Sequence, residues 1–221
     1  MRKLTFGSKL TGTTRLLGLL FAALILTVGV VGLSAPAQAA NPAEQFISDN
    51  VQNGLAILTN KQLTKDQRRT QFQGFLIGLT DINVIAEYTL GQYRRSASPA
   101  DLDAFKVAFK DYALAVYQTY FNKFSGQTLQ VTGSYTLGSD ETVVKTIMID
   151  PTKAQSGKPL EVDFRLAKET GKLAVVDFSV EGVWLREMER SEFTSYLGQN
   201  NGDVAALTAT LKKKTAQIQV K

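Results

Sequence analysis

Apolar positions along the chain change period twice, and the changes mark off three stretches. From Asn41 to Phe124 they recur every three or four residues, the spacing of one helix face. Asn41-Pro42-Ala43-Glu44 reads as an N-cap, a proline at the first helical position and an acid at the third, and Ile47, Val51, Leu55 and Leu58 follow on one stripe. Thr64 with Gln67 forms a capping box for a second helix carrying Phe72, Phe75, Leu76 and Leu79. Asp81 to Leu90 is a third, with Ile82, Ile85, Ala86 and Leu90, ending at Gly91. The longest runs from Pro99 to Phe124, capped by Ser98, with Leu102, Phe105, Phe109, Tyr112, Val116 and Tyr120 on its stripe. Tyr117, Phe121 and Phe124 widen that stripe, and Gly126 ends it.

From Gln127 the period becomes two. Leu129, Val131, Tyr135 and Leu137 alternate with polar or small residues, and Thr142 to Ile149 makes a second strand. A loop spans Asp150 to Pro159. Leu160, Val162, Phe164 and Leu166 then alternate with Glu161, Asp163 and Arg165, so one face is wet. Glu169-Thr170-Gly171-Lys172 is a hairpin turn. Leu173 to Leu185 reads as a fourth strand with Val176, Phe178, Val180 and Trp184 on one side. Short connections make a four-stranded antiparallel meander the simplest topology. Helices over Glu187–Leu197 and Asp203–Lys214 close the chain. The expected class is α+β: a curved four-stranded sheet wrapped by helices.

The chain begins differently. Arg2, Lys3, Lys9 and Arg15 precede an uncharged apolar run of 18 residues, Leu16 to Leu33, and then Ala37-Gln38-Ala39. That order is a secretory signal with a small-residue cleavage site. A retained membrane anchor is the alternative for a run of this length. Cleavage after Ala39 assigns residues 1–39 to the signal and 40–221 to one exported domain. It also removes four basic residues of 25, leaving 21 against 20 acidic ones, so a nucleic-acid partner is not expected. The chain has no cysteine and no histidine, which excludes disulfides, Cys or His catalysis and the common zinc sets. No cofactor and no metal site is expected.

Candidate chemistry is sparse. Asp163 and Glu161 lie on a solvated strand face, Asp177 and Glu181 share a strand with Ser179 but stand four residues apart, and Asp81 reads as a cap. Arg94 and Arg95 lie beside Tyr93, and Arg68 and Arg69 open the second helix. They suit either a solvated face or contact with anionic head groups or an acidic partner. The aromatic stripes admit two readings, a packed core or an apolar cavity between helices and sheet. By stripe and strand face, the cavity candidates are Phe75, Leu79, Phe105, Phe109, Tyr112, Val116, Tyr120, Val131, Tyr135, Val162, Phe164, Val176, Phe178 and Val180, with Trp184 at the mouth.

Two blocks of this sequence resemble a known family. FLIGLTDINVIAEYTLGQYRRSAS, Phe75 to Ser98, is similar to its D-x-x-x-I/V-A-x-x-x-L-G pattern followed by arginine, and runs on into the aromatic helix and Val131. LAVVDFSVEGVWLREMERSEF, Leu173 to Phe193, is similar to its strand ending in D-x-x-V-E-G-V-S-L. The family is the MlaC-type, or toluene-tolerance, group of periplasmic phospholipid-binding proteins. Trp184 stands where serine is common there, and Arg186 to Arg190 are more charged. The resemblance implies a monomeric, non-enzymatic periplasmic shuttle. Such a shuttle carries phospholipid between an outer-membrane lipoprotein complex and an inner-membrane ABC transporter with an MCE-domain subunit, and so maintains outer-membrane lipid asymmetry. A hopanoid cargo is the alternative within the family. Outside it, the rivals are an enzyme on a cone-like α+β fold using Asp or Tyr acid–base chemistry, and an adaptor with no cavity.

Overall fold

Short polar side chains fix the helix starts. In the computed structural model, which describes residues 41–152, 158–169 and 171–219, α1 (Pro42–Leu58) begins where the Asn41 side chain accepts the Ala43 amide at 3.0 Å. α2 (Lys65–Gly78) begins with the reciprocal Thr64–Gln67 capping box. At α3 (Ile82–Thr89) the Asp81 carboxylate accepts from the Asn83 and Val84 amides, and at α4 (Pro99–Phe121) the Ser98 hydroxyl accepts from Asp101. Each satisfies N–H groups that no helical carbonyl can reach. A 3₁₀ turn, Gly91–Arg95, joins α3 to α4. The signal segment lies outside the described residues, as do residues 153–157 of the long loop and Thr170 of the hairpin turn.

The sheet holds β1 (Thr128–Leu137), β2 (Glu141–Ile149), β3 (Glu161–Glu169), β4 (Lys172–Val180) and β5 (Val183–Trp184) in that spatial order, every pair antiparallel. The meander is as expected, but there are five strands, not four. The run from Leu173 to Leu185 is broken at Glu181-Gly182, whose φ values of 50° and 80° make a tight turn that folds Val183 back onto Val180. Trp184 thereby pairs with Ser179 and faces away from Phe178 and Val180, which corrects its expected side. A second correction comes from β1. The register slips between Val131 and Gly133, so Val131 pairs with Thr146 but Tyr135 with Val143, and those partners lie on opposite faces. Leu129 and Val131 therefore share one face, Tyr135 and Leu137 the other. α5 (Leu185–Gln199) and α6 (Val204–Gln219) complete the chain.

Two separate hydrophobic cores result. α1 lays Ala43 and Ile47 on Val144 and Leu166, with Phe46, Val51, Val131, Phe164, Leu173 and Val175 around them. Helices α3 to α6 bury Ala86, Leu90, Phe105, Phe109, Phe193, Leu197 and Leu207 among themselves. The two clusters share no residue. Phe72 of α2 spans the seam, 5.6 Å from the Phe75 ring and 5.5 Å from that of Tyr117 on α4. Gly54 of α1 allows this approach, since a Cβ there would lie 3.0 Å from Phe72 and 3.2 Å from Phe75.

Candidate functional site

Cross-strand pairing places Val131 and Ser134 of β1, Val144 and Thr146 of β2, Val162, Phe164 and Leu166 of β3, and Val175, Phe178 and Val180 of β4 on one face. α1 seals one end of that face, where Val144 and Leu166 are fully buried. The other end is left open. Phe178 is 41 % exposed and Val180 36 %, although both belong to the face that α1 packs on. The Phe164 and Phe178 rings stack at 6.4 Å, making a continuous aromatic floor. α2 passes one edge: the Leu79 carbonyl accepts the Val175 amide at 2.8 Å. We term this half-exposed apolar surface over β3 and β4, bounded by α1 at one end and by the α2 terminus at one edge, the groove; the Phe72–Phe75–Tyr117 ring group joins α2 to α4. Burial alone pushes the Tyr117 hydroxyl far above its ordinary pKa.

The expected site residues are scattered over several parts of the fold. Val162, Phe164, Phe178 and Val180 come together on the groove floor, with Val176 buried in the same strand at a second register slip. Phe75 is half-buried at the seam, Leu79 adjoins it through the β4 edge, Val116 is half-buried one residue before Tyr117, and Val131 packs under α1. Phe105 and Phe109 lie in the helical core, edge-on to Phe193 at 6.0 and 6.2 Å. Tyr112 sits at that core's margin, its hydroxyl pushed up to about 12 by burial and by the charges of Glu189 and Glu192. Tyr120 is 66 % exposed. Tyr135 and Trp184 are on the opposite face of the sheet.

That opposite face carries polar chemistry which the two-residue period concealed. Asp177 is 3 % exposed, and its Oδ1 accepts the amides of Phe178 at 2.8 Å and Arg186 at 2.9 Å. It thus caps α5, whose N-cap position is Trp184, a residue with no side-chain acceptor to offer. Burial pushes the Asp177 pKa up, and the Arg186 amide and guanidinium draw it back. Arg186 Nε lies 3.9 Å from Asp177 Oδ2, and Arg165 stands over the Trp184 ring at 4.5 Å and 3.6 Å from Glu187. Tyr88 donates to Glu187 at 2.6 Å, with Arg186 and Arg190 over its ring at 4.1 and 4.6 Å. The readable signal was a lone acid between Val176 and Phe178, followed by Arg186-Glu187-Met188-Glu189-Arg190. These groups tie β3, β4, α3 and α5 together and leave the groove floor uncharged. Among the described residues no set of three His, Cys, Asp or Glu could hold a metal ion. A cleft of about 530 Å³ between α4 and α6 has a mixed lining, with Ala108, Leu114 and Ala115 beside Gln73, Asp111 and Lys212.

No helix among the described residues is long and apolar enough to cross a membrane. A sequence model of the family described as MlaC protein matches residues 48–213. Among solved structures, a phospholipid-binding protein from Ralstonia solanacearum, in complex with a phospholipid, superposes with a TM-score of 0.69 at 19 % identity. The match covers 80 % of this chain and 98 % of that one. At this identity the likeness shows a shared fold.

Proposed function

The chain belongs to the MlaC family, and from that premise we propose that it binds a phospholipid by its acyl chains in the groove over β3 and β4. The observation that carries this reading is the half-exposed Phe178 and Val180 on a face otherwise sealed by α1. A fold that can bury Phe105 completely has no need to leave that surface open. The phospholipid held by the Ralstonia relative supports the same ligand class.

Hydrocarbon in water costs about 0.8 kcal/mol per methylene, so two long chains cost on the order of 20 kcal/mol. An apolar groove removes most of that penalty, with head group left toward water. The protein then serves as a periplasmic carrier, released after Ala39. It moves lipid between an outer-membrane lipoprotein complex and an inner-membrane MCE-domain ABC transporter, keeping the outer membrane asymmetric. It performs no covalent step: Asp163 and Asp177 lie on the face opposite the groove, out of reach of a lipid on its floor.

Native mass spectrometry of the purified mature chain tests this directly. The expected spectrum contains a phospholipid adduct, which Phe178→Asp and Val116→Trp reduce while the fold is retained. A ligand-free spectrum, together with failure to take labelled lipid from vesicles, would sink the proposal. A polycyclic lipid in place of a phospholipid would keep the carrier and change its cargo.

A further inference from the structure

Two sets of arginines on the helical layer are used differently. Arg68 and Arg69 are spent on the fold: Arg68 donates to the Asn60 and Leu63 carbonyls at 3.1 and 2.8 Å, and Arg69 pairs with Asp66 at 2.9 Å. Arg95 and Arg190 meet no carboxylate among the described residues, and Arg94 meets Glu87 only at 3.4 Å with its side chain about half exposed. These three converge on a cleft of about 320 Å³ between α3, the 3₁₀ turn and α5. Glu87 is the one carboxylate among the described residues lining it. Its charge is already met by Lys106 at 3.2 Å and Arg94 at 3.4 Å.

The cleft is built, not incidental. Gly91 has φ 55°, and a Cβ there would lie 2.9 Å from Thr194 Cγ2 and 3.5 Å from Arg190 Nε. The positive φ and the approach of Thr194 favour glycine here, and they set α5 against the turn with Arg190 at contact distance. The Arg190 guanidinium stacks on Tyr88 at 4.6 Å, and Tyr88 is itself held by Glu187. A stacked guanidinium is fixed in place while its in-plane N–H donors stay available. One held guanidinium, Arg190, beside the exposed Arg94 and Arg95 puts three arginine forks against one carboxylate, and arginine forks match the geometry of a phosphate oxyanion.

We propose that this cleft binds a phosphate group, presented either as free phosphate or as the head group of an anionic lipid at a membrane surface, held by Arg94, Arg95 and Arg190. The site is formed by α3, the 3₁₀ turn and α5, and it does not depend on the acyl-chain groove being occupied.

Titration of the mature chain with inorganic phosphate at constant ionic strength, followed by ¹⁵N NMR, tests it. The expected result is saturable shifts at the Gly91 and Gln92 amides. Affinity should fall at least about tenfold in the Arg94→Gln/Arg95→Gln double variant, as for loss of charge-assisted hydrogen bonds, and stay unchanged in Arg69→Gln. Flotation with phosphatidylglycerol vesicles separates the sources. A drop in vesicle binding for the double variant assigns the lipid head group, and phosphate shifts with unchanged flotation assign free phosphate. Absence of saturable shifts together with flotation unaffected by the double variant overturns the proposal. Lipid loading of the groove is expected to be the same in all three proteins.

Discussion

The helical core and the floor of the groove use the same residue types and are finished differently. Phe105 and Phe109 meet Phe193 edge-on, enclosed by Leu90, Leu197 and Leu211 from three other helices. Phe164 and Phe178 stack just as regularly on β3 and β4, yet nothing of α4 joins their cluster. An aromatic stripe by itself therefore does not reveal whether it closes on protein or waits for a ligand. What differs is the number of elements that converge on it. Four helices meet in the first region, but a single helix, α1, covers half of the second.

The sharpest way to break this contrast is to damage each side in turn. Phe105→Ala empties the closed core and is expected to cost about 3–5 kcal/mol in urea unfolding. A loss under about 1 kcal/mol would mean that the helical core is looser than its burial implies. Next comes Asp177→Ala, one residue from Phe178 but on the other face of the strand. It uncaps α5 and leaves the buried Arg186 guanidinium with Glu187, at 3.7 Å, as its remaining counter-charge, so about 2–3 kcal/mol of stability should go. Lipid loading of the folded fraction should persist.

Glu189 tests the rim of the helical layer through pH. Its Oε2 is buried without a hydrogen-bond partner, and burial, then Glu192, push its pKa up to about 7, against an ordinary value of 4.5. Between those values the folded chain holds a proton that the unfolded chain has released. This group's contribution is thus most favourable below pH 4.5 and falls as pH rises toward 7. Allowing for its partial exposure, Glu189→Gln should add about 1–2 kcal/mol at pH 8 and almost nothing at pH 4, read from thermal melts across that range. Equal stabilisation at both ends would remove Glu189 from the account. The smallest expected effect on stability is at the groove. Phe178→Ser should cost about 1 kcal/mol or less, because the ring is already wet, while bound lipid falls severalfold by native mass spectrometry.

Much of this architecture was legible in the residues. Asn41, Thr64, Asp81 and Ser98 are caps in sequence and in space, since a cap needs one side chain and the amides two or three positions on. Strand faces were legible only where the alternation runs unbroken, as from Val162 to Leu166. One residue of slip beside Gly133 turned Tyr135 over, and a two-residue turn at Glu181-Gly182 turned Trp184 over. Both places carry a glycine at positive φ, which was the available warning. The α4 stripe was harder to divide. Phe105, Phe109, Tyr112, Val116 and Tyr120 follow one spacing, and only the arrival of α5 and α6 decides which of them are enclosed. The Asp177–Arg186 pairing joins residues on two elements, and periodicity within one element carries no trace of it.

The bond from the Val175 amide to the Leu79 carbonyl has a consequence for how copies of this protein meet. A sheet margin with free N–H groups invites another molecule to add a strand, and such additions can propagate into fibres. On this margin β5 pairs with Ser179 and Val180 at the far end of β4, and a helix-terminal carbonyl takes the Val175 amide nearer its start. On the other, the slip beside Gly133 interrupts the regular row of donors on β1. The exposed apolar floor thus lies beside sheet margins that are each interrupted, which shortens the backbone template on which oily surfaces most readily assemble.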